Sequence, residues 1–176
     1  MIRSARSLLV LAGLSLLGII THLVPHDMGV STVGAISMLA AAFLPRSLRL
    51  VPVLAAVLLV DAVNGFYGAL AMAFVYLGHI AGVLVLGPIL SSKNARMVAL
   101  AAIANALVFY LISNITPMAM GFYPATLEGW INCYVNGLPF LLRGVLANLV
   151  FGGTAFGVVW LIGEIRAHRL VITQRH

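Results

Sequence analysis

Six apolar runs, at about residues 8–24, 29–44, 50–64, 68–90, 97–114 and 138–163, follow one another with only short charged or proline-bearing turns between most of them. A helix needs about 20 apolar residues to cross the roughly 30 Å hydrocarbon layer. In lipid, only helices and closed barrels can satisfy their own backbone groups. The pattern therefore predicts an all-α membrane protein, a six-transmembrane-helix bundle forming a single domain over residues 1–176. The third run is interrupted by Asp61. Pro25, Pro45, Pro52, Pro88, Pro117, Pro124 and Pro139 fall at or near run ends, the expected place for a residue that cannot donate within a helix. With 62% hydrophobic and only 8% charged residues, the chain leaves no room for a separate soluble domain.

The formal charge of +6 would suggest nucleic acid in a soluble chain. Here the basic residues occupy turns, where they set orientation. With the amino terminus inside, Arg3 and Arg6, Arg46 and Arg49, Lys93 and Arg96, and Arg166, Arg169 and Arg175 all fall on the inner side. Both termini are then cytoplasmic, and nucleic acid is not an expected partner. Residues 1–25 also resemble a signal peptide, but no small-x-small cleavage site follows Ile20, so an uncleaved first helix is expected. Cys133 is the only cysteine, which excludes an intramolecular disulfide.

Polar groups at membrane depth need partners, which makes each a functional candidate. His22, His26 and Asp27 close the first span and suit a divalent metal, or simply a solvated loop. Asp61 and Asn64 lie at the outer end of the third span. Tyr76 and His79 are three apart on the fourth, with His79 near mid-membrane. It is a candidate cofactor-metal ligand or proton carrier, or a histidine bonded to a neighbouring helix. The fifth span adds Asn105, Tyr110 and Asn114, and the sixth opens with Arg143 and Asn148. Arg143 breaks the inside bias and calls for an anion, whether Asp61, Glu128 or an acidic group on a ligand.

The segment 115–137 is neither a clean apolar helix nor a short turn, and is expected to cap the bundle from outside as a lid. Trp130 and Tyr134, four apart on it, read as interface anchors or as a stacking surface for a planar ligand. Cys133 reads as a packed small side chain or a soft metal ligand. Small-xxx-small pairs at Gly78 and Gly82, Ala102 and Ala106, and Gly153 and Gly157 suit close helix packing. There is no G-x-S-x-G, H-E-x-x-H, paired-cysteine or phosphate-loop motif, so the chain is not expected to be an enzyme.

VGAISMLAAAFL at 33–44, VPVLAAVLLVDAVNGFYG at 51–68, FVYLGH at 74–79 and SNITPMAMGFYPATLEGWINCYVNGLPF at 113–140 carry a resemblance covering most of the chain. It resembles an uncharacterised bacterial family of small membrane proteins that is itself similar to the substrate-binding S components of energy-coupling factor transporters. The resemblance implies a receptor in the bacterial cytoplasmic (inner) membrane for a vitamin-type small molecule or metal ion taken from the outer side. It implies as partners a transmembrane coupling protein and two cytoplasmic ATPases, or, as for some family members, work without them. On this sequence, Asp61, Asn64, Tyr76, His79, Asn114, Trp130, Tyr134 and Arg143 would line the pocket, under a lid at 115–137. The chain departs from the S-component pattern in lacking an Ala-x-x-x-Ala pair within 8–24, where Ala12, Ser15 and Gly18 form a small-residue face instead.

The resulting expectation is a substrate-binding subunit for vitamin uptake. A corrinoid is the first substrate guess, because His79 and Cys133 each offer cobalt a ligand. The alternatives are a ligand-free structural or assembly subunit, and a solitary proton-coupled carrier working through Asp61 and His79.

Overall fold

The computed structural model describes residues 30–173 and the isolated helical position Gly13, with residues 165–173 described by backbone alone. The expected first span at 8–24, with His22, His26 and Asp27, lies outside the described residues apart from Gly13. All described regular structure is helical: α1 (Val33–Phe43), a 3₁₀ turn at Arg46–Leu48, α2 (Leu50–Asn64), α3 (Ala69–Ile89) and α4 (Ala95–Ser113). Then follow a short α5 (Ile115–Ala119), α6 (Leu127–Ala147), a π turn at Asn148–Gly152 and α7 (Gly153–Thr173).

Among the described residues, four helical stretches are long and apolar enough to cross a membrane: Arg46–Asn64, Ala69–Ile89, Ala95–Ala119 and Leu127–Glu164. Their lipid-facing surfaces carry large apolar side chains, including Leu84, Leu100, Leu142 and Leu161. These features mark a multi-pass membrane protein. The bundle has one end bearing residues 65–68 and 114–126, here the upper end, and a lower end bearing residues 44–49 and 90–94.

The run expected to span at 29–44 forms instead an 11-residue helix. At 1.5 Å per residue α1 is about 16 Å long, roughly half the hydrocarbon thickness. Val33 through Ala41 are all buried, as expected of a helix that is apolar on every side. α1 packs against α2, α3, α4, α6, the π turn and α7, and so forms the centre of the bundle. Its core neighbours include Val53, Val83, Leu86 and Phe156, each 0–1% exposed. Hydropathy alone cannot tell such a central half-helix from a span.

The lower end of α1 is tied by Arg49. Its Nε donates to the Leu44 carbonyl at 3.1 Å, and its guanidinium occupies the space a Cβ on Gly87 would need. A cation there satisfies a carbonyl at the negative end of the helix. At the start of α4 the Asn94 side chain accepts from the Met97 amide at 2.9 Å, an N-cap.

The segment expected as a lid at 115–137 is largely helical. After α5, a turn with Gly121 at φ +76° leads to Thr126, whose hydroxyl accepts from the Gly129 amide at 3.1 Å and starts α6. α6, the π turn and the first part of α7 make one stretch of 38 residues, about 57 Å long by helical rise. That exceeds the roughly 30 Å hydrocarbon layer. The last long helix therefore starts at Leu127, before the apolar run at 138–163, and residues 114–126 form a compact cap.

Candidate functional site

A cavity of about 310 Å³ lies between α1, α2, α3, α4 and α6. Its floor is built from glycine and asparagine. Gly34 opens the first turn of α1, where a Cβ would strike the Asn148 amide and lie 3.0 Å from Asn105 Nδ2. On the opposite side, a Cβ on Gly82 would overlap Asn105 Oδ1. The Asn105 amide thus fits between α1 and α3 because both neighbours lack side chains there, the close approach that small residues permit in membranes.

Asn148 sits at the π turn, a local widening frequent at functional sites. Its Nδ2 donates to the Ala102 carbonyl at 3.1 Å. Asn105 and Asn148 are 4% and 5% exposed, so two amides are kept at depth, where unpaired polar groups are costly.

Asp61 stands on the wall, near the upper end of α2, at 5% exposure. Its Oδ2 has no hydrogen-bond partner among the described residues, and the same holds for the buried Tyr76 hydroxyl. That hydroxyl lies close enough to the Asp61 carboxylate to interact with it, but no bond of proper geometry joins them. Tyr67, in the loop above, also lines the cavity. Burial, and secondarily the Asp61 charge, push its hydroxyl pKa above the ordinary value.

His79 lines the cavity with its imidazole tilted against the Phe109 ring, ring centroids 4.4 Å apart. Among the described residues no Lys or Arg lines the cavity, so its one formal charge is the Asp61 carboxylate.

The upper wall is locked by a set of bonds between α4 and α6. The Tyr110 hydroxyl donates to the Tyr134 carbonyl. The Tyr134 hydroxyl donates to the Leu111 carbonyl at 2.7 Å. Asn114 Nδ2 returns to the Tyr110 carbonyl at 2.8 Å, and Cys133 Sγ reaches the Asn114 carbonyl at 3.4 Å. Gly137 lets the helices approach, since a Cβ there would lie 2.5 Å from Asn114 Oδ1. Above the lock is a more open depression of about 470 Å³ floored by Cys133 and Gly137 and flanked by Tyr123 and Asn136. Asn114 and Phe140 line both spaces.

Of the residues singled out from sequence, Asp61, His79 and Asn114 share the cavity, and Tyr76 lies behind Asp61. Asn64 is exposed at the end of α2. Trp130 is 40% exposed and stacks on Tyr134 with centroids 6.1 Å apart. Tyr134 serves the α4–α6 lock. Arg143 is exposed on α6, with its guanidinium 6.0 Å from the Phe140 ring centroid, and does not line the cavity. Cys133 is buried in the lock. Among the described residues no group of three or more His, Cys, Asp or Glu side chains is placed to hold a metal ion.

Asn105, Tyr110 and Asn148, named from sequence as polar candidates but not among the expected pocket residues, also line the cavity, and sequence reasoning missed Tyr67 and Phe109 altogether. For the asparagines a signal existed, an amide at membrane depth on the same level as the glycines of a neighbouring helix.

Neither the curated proteins nor the solved structures contain a match to this chain. Residues 3–170 match the description "Family of unknown function (DUF6580)", nearly the whole length, and the chain belongs to that family.

Proposed function

We propose that the protein is a membrane-embedded substrate-binding subunit that takes a small solute from the outer side of the bacterial cytoplasmic membrane. The observation that carries this reading is the 310 Å³ cavity lined by Asp61, a buried carboxylate with one oxygen unpartnered among the described residues. Ligand sites are concave, largely apolar and supplied with a few convergent polar groups, and run from about 300 to 1,000 Å³. The side chains here are of that kind. Asp61, His79 and the two asparagines converge among Val57, Val60, Val75 and Phe109. The positive-inside bias of the sequence places the upper end outside.

The volume narrows the solute. A space of 310 Å³ equals about ten waters at ~30 Å³ each, enough for a compact single-ring or short bicyclic molecule. The resemblance to S components supports delivery against a transmembrane coupling protein driven by two cytoplasmic ATPases. A second reading, a carrier working alone with protons, draws support from Asp61 and His79 lining one cavity. Uptake that persists without any ATPase would favour it.

The test is mass spectrometry of small molecules retained by the purified protein. Wild type should carry a solute that the cavity-filling variants Ala106→Phe and Gly144→Leu, checked for folding by thermal melting, do not. Equal retention in all three, or none in any, would sink the receptor reading.

A further inference from the structure

We propose that the solute is a small organic cation, an ammonium or protonated ring nitrogen that seats on Asp61. The inference rests on the receptor reading and adds the chemical class of the ligand.

Three observations converge on it. Asp61 is 5% exposed and lines a cavity large enough for a molecule, and its buried Oδ2, beside the equally buried Tyr76 hydroxyl, lacks a hydrogen-bond partner among the described residues. A buried carboxylate is costly unless paired and hydrogen-bonded, and a ligand N⁺–H supplies both the charge and the donor.

The rest of the lining suits the same class. No Lys or Arg among the described residues lines the cavity, so a carboxylate or phosphate on the ligand would meet no cation there, only the like charge of Asp61. Tyr67, Phe109, Tyr110 and Phe140 contribute aromatic rings to the walls. Ring faces attract ammonium groups, more strongly where water is excluded.

The polar groups are also separated in depth. Asp61 lies three residues below the upper end of α2, about 5 Å, whereas Asn105 lies eight residues below the end of α4, about 12 Å. A cation held at Asp61 therefore places its other end near the Asn105 and Asn148 amides. Those amides offer a donor or an acceptor to a neutral hydroxyl, carbonyl or ring nitrogen.

The experiment uses three probes of one shape on the full chain in nanodiscs: benzylamine, protonated at neutral pH, benzyl alcohol and benzoate. Calorimetry should show benzylamine binding at least ten-fold more tightly than benzyl alcohol, with no benzoate binding. The near-isosteric Asp61→Asn variant, shown to be folded by its melting curve, should lose that preference. Equal affinity of benzyl alcohol and benzylamine for wild type would overturn the cation assignment while leaving the receptor reading in place. So would a preference that persists in Asp61→Asn. If none of the three probes binds, the assignment also fails, and the retained-solute experiment judges the receptor reading separately.

Discussion

The side-chain oxygen of Asn105 occupies the space a Cβ on Gly82 would need, so α3 and α4 meet around a buried amide. A methyl group added at Gly82 must displace that amide, which is packed between α1 and α3. Gly82→Ala should therefore lower stability by about 1–3 kcal/mol, the usual cost of overpacking. Shortening the amide should relieve it, so the Gly82→Ala, Asn105→Ala pair should melt above the sum of the single effects. Additive losses in detergent melts would show that the amide and the glycine are not coupled.

The α4–α6 lock makes a second prediction. Tyr110→Phe deletes the donor to the Tyr134 carbonyl and Tyr134→Phe deletes the donor to Leu111. Interhelical hydrogen bonds in membranes contribute about 0.6 kcal/mol on average and up to about 1.7. Each variant should fall in that range, and amide exchange at 130–138 should quicken in both. Unchanged exchange in the double variant would mean that the lock does not hold the upper end of α6.

Removing the Asp61 charge should have the opposite sign. In ligand-free protein, Asp61→Asn replaces a buried carboxylate that has an unpartnered oxygen, and stability should rise by about 1 kcal/mol. A gain in melting temperature with a loss of solute retention is the trade-off expected of a binding residue. A destabilised Asp61→Asn variant would instead make the carboxylate a structural element.

The cap over the upper depression depends on the start of α6. Thr126→Ala removes the acceptor for the Gly129 amide and should cost about 1 kcal/mol. Gly129→Ala should cost more, because a Cβ there would overlap the Pro124 carbonyl. Limited proteolysis should then cut residues 120–126 faster in both variants, with Gly129→Ala the more sensitive. Equal cleavage in wild type would place the hold on the cap elsewhere.

How much of this was legible in the sequence depended on how each signal arises. α2, α3 and α4 match their apolar runs within two residues at each end, because Asn64, Gly68 and Asn94 mark boundaries that hydropathy and capping both see. The start of α6 was hidden by its polarity. Glu128, Asn132 and Asn136, each four apart, form a helical face that an apolar criterion reads as loop. In the site, Asp61, His79 and Asn114 were legible as polar groups at depth. The grouping of Asn105 and Asn148 was not, since it depends on the rotation of four helices and on what Gly34 and Gly82 leave open.

The half-length of α1 also bears on how the chain reaches the bilayer. An 11-residue segment cannot reach from one headgroup layer to the other, so lipid offers it no resting place as a lone span during synthesis. A ribosome-stalled chain ending before α4 should therefore leave residues 33–43 at the headgroups, with α1 entering the bundle only when α4 is available to pack on it.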